Sequence, residues 1–189
     1  MSKKLDAIIV VDIESTCWKK EPPPGEESEI IEVGVCLLDV ASATPKEKES
    51  ILVKPQRSRV SKFCTELTTL TQEQVDKGVS FAQACGVLKS KYKSPQRVWA
   101  SYGDYDRNMF EKQTLSRDIK YPFGPRHINV KTLFALAYNL EKEVGMPAAL
   151  EILKIPLEGT HHRGGDDAWN ISKILGKLLL QTRGKISSS

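Results

Sequence analysis

The feature that most limits the fold is a short apolar run near the start, Ala7-Ile8-Ile9-Val10-Val11, cut off by Asp12-Ile13-Glu14. Five mostly β-branched residues suit a strand buried on both faces. The run is too short to cross a bilayer, and acids at its end rule out a secretory leader. Alternate strand residues point the same way, so Asp12 and Glu14 project together from the strand end while Ile13 packs behind them. Two carboxylates aimed at one point repel each other unless a cation lies between them. All-oxygen donors select a hard divalent ion, Mg²⁺ above all. An Asp-x-Glu pair alone also fits a solvated loop, so its meaning depends on the rest of the chain.

Further strands are expected at Ile30–Val40, where Ile31, Val33, Val35 and Leu37 alternate, and at Glu49–Val53. These three lie close enough in sequence to form an antiparallel meander. Two capping boxes, Thr71 to Gln74 and Ser80 to Gln83, open short helices. The second helix would place Phe81, Ala84, Cys85 and Leu88 on one face. Arg97–Ser101 and His127–Val130 read as strands. Helices are expected from Asp106 to Leu115, after Val130 through Leu140, from Gly145 to Leu153, and from Asp166 onward. Lys185–Ser189 reads as a frayed tail. Three early strands followed by alternating helices and strands predict an α/β fold with a mixed sheet flanked by helices. At 189 residues the chain has room for one domain, 1–189, with its core at about 5–182.

Lys and Arg number 28 against 24 Asp and Glu, a net charge of +4, which permits a nucleic-acid partner without demanding one. No two of Cys17, Cys36, Cys64 and Cys85 have metal-ligand spacing, so a zinc site is not expected. Cys36 and Cys85 sit among apolar residues and read as buried small hydrophobes. With no disulfide framework, a cytoplasmic location fits best, and no stretch is long enough for a membrane span.

Two other segments carry chemistry-bearing residues. Ser101-Tyr102-Gly103-Asp104-Tyr105-Asp106 follows the fourth strand, where α/β proteins place ligands. Either Asp104 or Asp106 could face a cleft, and Asp104 also suits the plain role of a helix N-cap in a turn. His161-His162-Arg163-Gly164-Gly165-Asp166-Asp167 enters the last helix and brings His, Arg, Gly and Asp to one helix start. An acid in a first helical turn is often only a dipole partner. Together, an acid pair on the first strand, an acid in mid-chain and His-x-x-x-x-Asp near the end make one set.

At these residues the chain resembles the DEDDh branch of the DnaQ-like 3′–5′ exonucleases, which have the RNase H-like fold. It is most similar to the group holding the histone-mRNA and RNA-interference exonucleases and the KapD-like sporulation inhibitors. Asp12-Ile13-Glu14-Ser15-Thr16-Cys17-Trp18 resembles that group's first motif, and Glu29-Ile30-Ile31-Glu32-Val33-Gly34 its second strand. Phe63-Cys64-Thr65-Glu66-Leu67-Thr68 and Leu70 to Asp76 resemble the segment after its third strand. The resemblance runs from about Ala7 to Leu180.

It implies a five-stranded mixed sheet. It also implies that Asp12, Glu14, Asp106 and Asp167 bind two divalent cations, Mg²⁺ or Mn²⁺. His162, which alone has the spacing to Asp167, is implied as the general base. The reaction implied is two-metal hydrolysis of single-stranded nucleic acid, RNA favoured, to nucleoside 5′-monophosphates. Phe63 and Leu67 could sandwich the terminal base, with core packing as the plain alternative. Thr16 or its backbone could meet the terminal sugar hydroxyl. Lys131 and Arg163 are candidate phosphate contacts. Trp18 is expected at a loop or rim, and Trp99 and Trp169 in the core. Glycines flanking the histidine would let it swing in with substrate. The KapD-like relatives leave open a regulatory or partner-binding protein with little turnover.

Overall fold

In a computed structural model, residues 4–186 are described. Five strands form one sheet in the order β3-β2-β1-β4-β5. β1 (Ala7–Ser15), β2 (Ile30–Asp39) and β3 (Thr44–Leu52) make the antiparallel meander, and β4 (Val98–Ser101) and β5 (His127–Asn129) add in parallel. β1 is central and covered on both faces, which is why its sequence is apolar throughout rather than alternating. Its odd positions Ile9, Val11 and Ile13 face one core, with Phe81, Leu88 and Phe110. Its even positions Ile8 and Val10 face the other, with Phe134, Ala168, Ile171 and Leu175.

The first core is closed by α3 (Phe81–Ser90) and α4 (Tyr105–Ser116), the second by α5 (Val130–Ala137), α6 (Met146–Leu153) and α7 (Gly164–Ile186). Two short helices, α1 (Lys62–Thr68) and α2 (Gln72–Asp76), lie between β3 and α3. Both expected capping boxes form, at Thr71 and at Ser80. Cys36 and Cys85 are buried, and all four cysteines are free thiols. Among the described residues no helix is long and apolar enough to cross a membrane.

Several boundaries differ from the expectation. β3 begins at Thr44, five residues earlier than Glu49. Its first half is an exposed sheet edge rich in Lys and Glu, so it carries no apolar period, and such charges discourage edge-to-edge pairing. Helix α1 was not legible: it is seven residues long and buries only Cys64 and Thr68. The Ser61 side chain caps it at Cys64 N, and Thr69 ends it in a left-handed conformation. α5 stops at Ala137 because Asn139 turns to φ 51°. α7 starts at Gly164, and 187–189 of the expected tail lie outside the described residues. Trp99 lies in the core as expected, but Trp169 is half-buried at its edge, where Nε1 donates to Glu158 at 2.9 Å. A ring nitrogen that needs a partner keeps that residue at the surface.

Candidate active site

The even face of β1 ends in Asp12 and Glu14, where the α7-side core gives out. α7 begins directly above them because two glycines allow backbone to touch backbone. A Cβ on Gly34 would fall 1.8 Å from the Gly164 carbonyl carbon, and one on Gly164 would fall 2.9 Å from the Asp12 carbonyl oxygen. No side chain fits there. Gly34 pairs with Asp12 in the sheet, so this contact brings the first turn of α7, and with it Asp167, opposite the acids of β1. Gly164 is therefore a packing residue, and both it and Gly165 lie in the first turn of α7.

Carboxylate oxygens of Asp12, Glu14 and Asp167 lie within 4.8 Å of one another. Asp106, in the first turn of α4, lines the same cavity of about 350 Å³, as do His161 and His162. The sheet explains its position. Pairing of β1 with β4 ends at Val10–Ala100, and beyond it the Ile13 N–H donates instead to Asp106 Oδ1 at 2.9 Å. Asp104 is the outward acid: it accepts from Asn129 Nδ2 at 3.2 Å and pairs with Arg107. The ambiguity between the two acids is thus resolved toward Asp106.

Like charges in a dry place resist ionisation. Burial, then the charges of Asp106, Asp167 and Glu14, hold the Asp12 pKa well above the carboxylate range. Burial and the charges of Asp167, Glu32 and Asp106 push Glu14 up to about 8. Burial raises Asp106 to about 6. Asp167 is raised by burial, against the pull of His161 and of the His162 N–H. A set of hard oxygen donors that cannot all be anionic without a counter-charge fits one or more divalent cations of the Mg²⁺ class.

The histidines divide the work at Asp167. His161 Nδ1 lies 3.0 Å from Asp167 Oδ2, and the His162 backbone N–H donates to the same oxygen at 2.9 Å. The two rings stack with centroids 3.9 Å apart. Burial and the neighbouring His161 lower the His162 pKa against the pull of Asp167, which favours the neutral, proton-accepting ring. His162 sits at φ 65°, in the left-handed region, with its backbone N–H held by Asp167.

Other expected contacts fall differently. Phe63 and Leu67 are each 37% exposed, one turn apart on α1, so plain core packing does not account for them. Their helix is moored to the end of β1, with Cys64 Sγ donating to the Ser15 carbonyl at 3.4 Å. Thr16 is fully buried: its Oγ1 accepts from Glu29 N at 2.9 Å and donates to the Glu27 carbonyl, while its N–H donates to the Glu29 carbonyl. Its hydroxyl and N–H are thus engaged within the protein rather than offered to a sugar. Lys131 faces Glu143 across a partly exposed 3.6 Å pair, whereas the Arg163 guanidinium is committed to the buried Glu32. Trp18 is half-buried.

Two buried acids had no role assigned from sequence. Glu29 accepts from the backbone N–H groups of Gln56, Arg57 and Ser58 and pairs with Arg117 at 2.5 Å, ordering the loop after β3. Glu32 accepts from Gly164 N at 2.9 Å and faces Arg163. Both lie in the stretch that resembles the family's second strand, but as charges flanking or interrupting an apolar run they gave no sign of these partners.

Comparison with known proteins agrees with this geometry. The profile of the exonuclease family, RNase_T, matches residues 9–175. Rat 3′-5′ exoribonuclease 1 is 32% identical over 92% of this chain and 53% of its own length. The chain thus spans about half of that relative. The nuclease domain of 3′hExo, a DEDDh family member solved with bound rAMP, superposes with a TM-score of 0.85 at 27% identity, covering 96% of this chain and 95% of that one. A 3′-exonuclease solved in recognition of the 3′ end of a histone mRNA stem-loop gives 0.82 at 28% identity, covering 93% and 82%.

Proposed function

The chain belongs to the exonuclease family, and on that premise we propose that it is a metal-dependent 3′–5′ exonuclease that hydrolyses single-stranded nucleic acid, RNA before DNA, to nucleoside 5′-monophosphates. The observation that carries this reading is the meeting of Asp12, Glu14 and Asp167 oxygens within 4.8 Å, in a cavity shared with Asp106 and His162. The preference for RNA is supported by the names of the relatives, an exoribonuclease and a nuclease domain with bound rAMP.

Asp12, Glu14, Asp106 and Asp167 would hold two divalent cations, Mg²⁺ or Mn²⁺. When bound, such ions activate the attacking water, neutralise the phosphate and stabilise the departing sugar oxygen. Asp12 lies among the charges of the other three acids, so a bound cation would relieve the repulsion that keeps it from ionising. The neutral imidazole of His162 takes the proton of the attacking water, work worth about 10²–10⁴ in rate. Asp167 anchors the residue that carries the imidazole through its bond to the His162 backbone N–H. Phe63 and Leu67 offer an apolar clamp for the last base, which any base can enter because all have a flat face. Thr16 ties the end of β1 to the Glu27–Glu29 segment rather than touching the sugar.

The test uses 5′-labelled single-stranded RNA and DNA with Mg²⁺, Mn²⁺ or EDTA. A ladder shortening from the 3′ end is expected, faster on RNA and absent in EDTA or with Asp12→Asn. If the wild type shortens neither polymer, the reading is wrong and a binding role takes its place.

A further inference from the structure

Glu32 is a fifth carboxylate at a site that already has trouble ionising four. It is fully buried on β2, directly across the sheet from Glu14, and its charge helps raise the pKa values of Asp12 and Glu14. For stability alone, an apolar residue of similar volume would serve as well or better there. Its partners show what it holds. Oε2 accepts the Gly164 N–H at 2.9 Å and lies 3.3 Å from Arg163 Nε, while Oε1 lies 3.2 Å from Arg163 Nη2 and also accepts the Ser50 hydroxyl.

These contacts fall on the two residues that immediately follow His162. On its other side, the His162 N–H is held by Asp167. The backbone of His162, kept at φ 65°, is therefore pinned from both directions. Arg163 reaches one element further, with Nη1 3.5 Å from Oγ1 of Thr69, the residue that ends α1. Helix α1 carries Phe63 and Leu67, so a single guanidinium touches the helix of the base clamp and the segment of the general base.

We propose that Glu32 and Arg163 are a positioning pair for the reaction: Glu32 fixes the His162–Asp167 segment, and Arg163 ties that segment to α1. This rests on the exonuclease reading above. Glu32 is fully buried and the Arg163 guanidinium is engaged by Glu32 and Thr69, so the pair acts on turnover more than on binding. A forked, planar guanidinium matters here, because a lysine could not reach two carboxylate oxygens and a hydroxyl together.

The experiment measures kcat and KM on single-stranded RNA for the full chain and for Glu32→Gln, Arg163→Met and Arg163→Lys, alongside amide hydrogen exchange at Gly164. Glu32→Gln should lower kcat on the order of tenfold to a hundredfold, as expected for a misplaced catalytic group. KM should change by no more than about twofold, since no substrate contact is lost. Gly164 should exchange faster. Arg163→Lys should fall between wild type and Arg163→Met. The proposal is overturned if a folded Glu32→Gln keeps wild-type kcat, or if saturating Mn²⁺ restores the loss, which would make Glu32 a source of charge for cation binding. Should Glu32→Gln fail to fold, the arginine variants decide, and wild-type kcat in Arg163→Met overturns it. An inactive wild type with Gly164 still exchanging faster in Glu32→Gln would sink the exonuclease reading while leaving Glu32's hold on the His162–Asp167 segment in place.

Discussion

Replacing Glu14 by Gln should make the metal-free protein more stable while destroying its activity. The folded carboxyl titrates at about 8 against an ordinary value of 4.5, because burial and then Asp167, Glu32 and Asp106 oppose its charge. Between those two pH values the native state holds a proton that the unfolded chain releases, so stability falls as pH rises through the window. Below the ordinary value there is no penalty, and above about 8 it is complete. At pH 7 it amounts to about 3 kcal/mol, from about 1.4 kcal/mol for each pH unit above the ordinary value. The glutamine has nearly the same shape and carries no charge. In EDTA at pH 7, thermal unfolding of Glu14→Gln should therefore come about 6–12 °C above wild type, at about 2–4 °C per kcal/mol for a chain of this size. The gain should shrink toward zero as the pH is lowered to 4.5. Adding Mg²⁺ should narrow or reverse it, since a cation at about a hundred times its Kd adds about 2.7 kcal/mol to whichever protein binds it. A variant no more stable than wild type in EDTA, or a gain that is the same at pH 5 and pH 7.5, would refute the argument that this cluster is held together against its own charge.

His162→Ala should lower kcat by about 10²–10⁴, the usual worth of a general base, while His161→Ala should lower it less than about tenfold; a larger loss at His161 would exchange their roles. Gly34→Ala should cost about 3 kcal/mol or more in chemical denaturation, because its Cβ would sit 1.8 Å from the Gly164 carbonyl carbon with backbone on both sides. Phe63→Ala should raise KM for single-stranded RNA by an amount corresponding to about 1–3 kcal/mol, with kcat nearly unchanged; an unchanged KM would remove Phe63 from the base clamp.

What could be read in advance was what local chemistry determines. The apolar run of β1, the capping boxes at Thr71 and Ser80 and the amphipathic face of α7 each follow from residues close together in sequence. The acids of the site were legible because their order and spacing match a known pattern, and all of them face one cavity. Features that depend on another element were not legible. The outer half of β3 has no inward side to mark it, and α1 is too short to show a period. Gly164 reads as a hinge until β2 is seen to present Gly34 against it. Arg163 reads as a phosphate ligand until Glu32 is found buried beside it, on a strand more than a hundred residues earlier. Thr16 lies in the right motif, but its hydroxyl is committed to the Glu27–Glu29 segment.

Counting bound Mn²⁺ by electron paramagnetic resonance, in the presence of a nucleoside 5′-monophosphate, goes straight to the matter of whether three separated stretches of chain build one cation site. Two ions per molecule are expected for wild type, with fewer in Asp12→Asn, Asp106→Asn and Asp167→Asn alike. Wild type that binds no Mn²⁺, or binding that survives all three substitutions, would contradict the account.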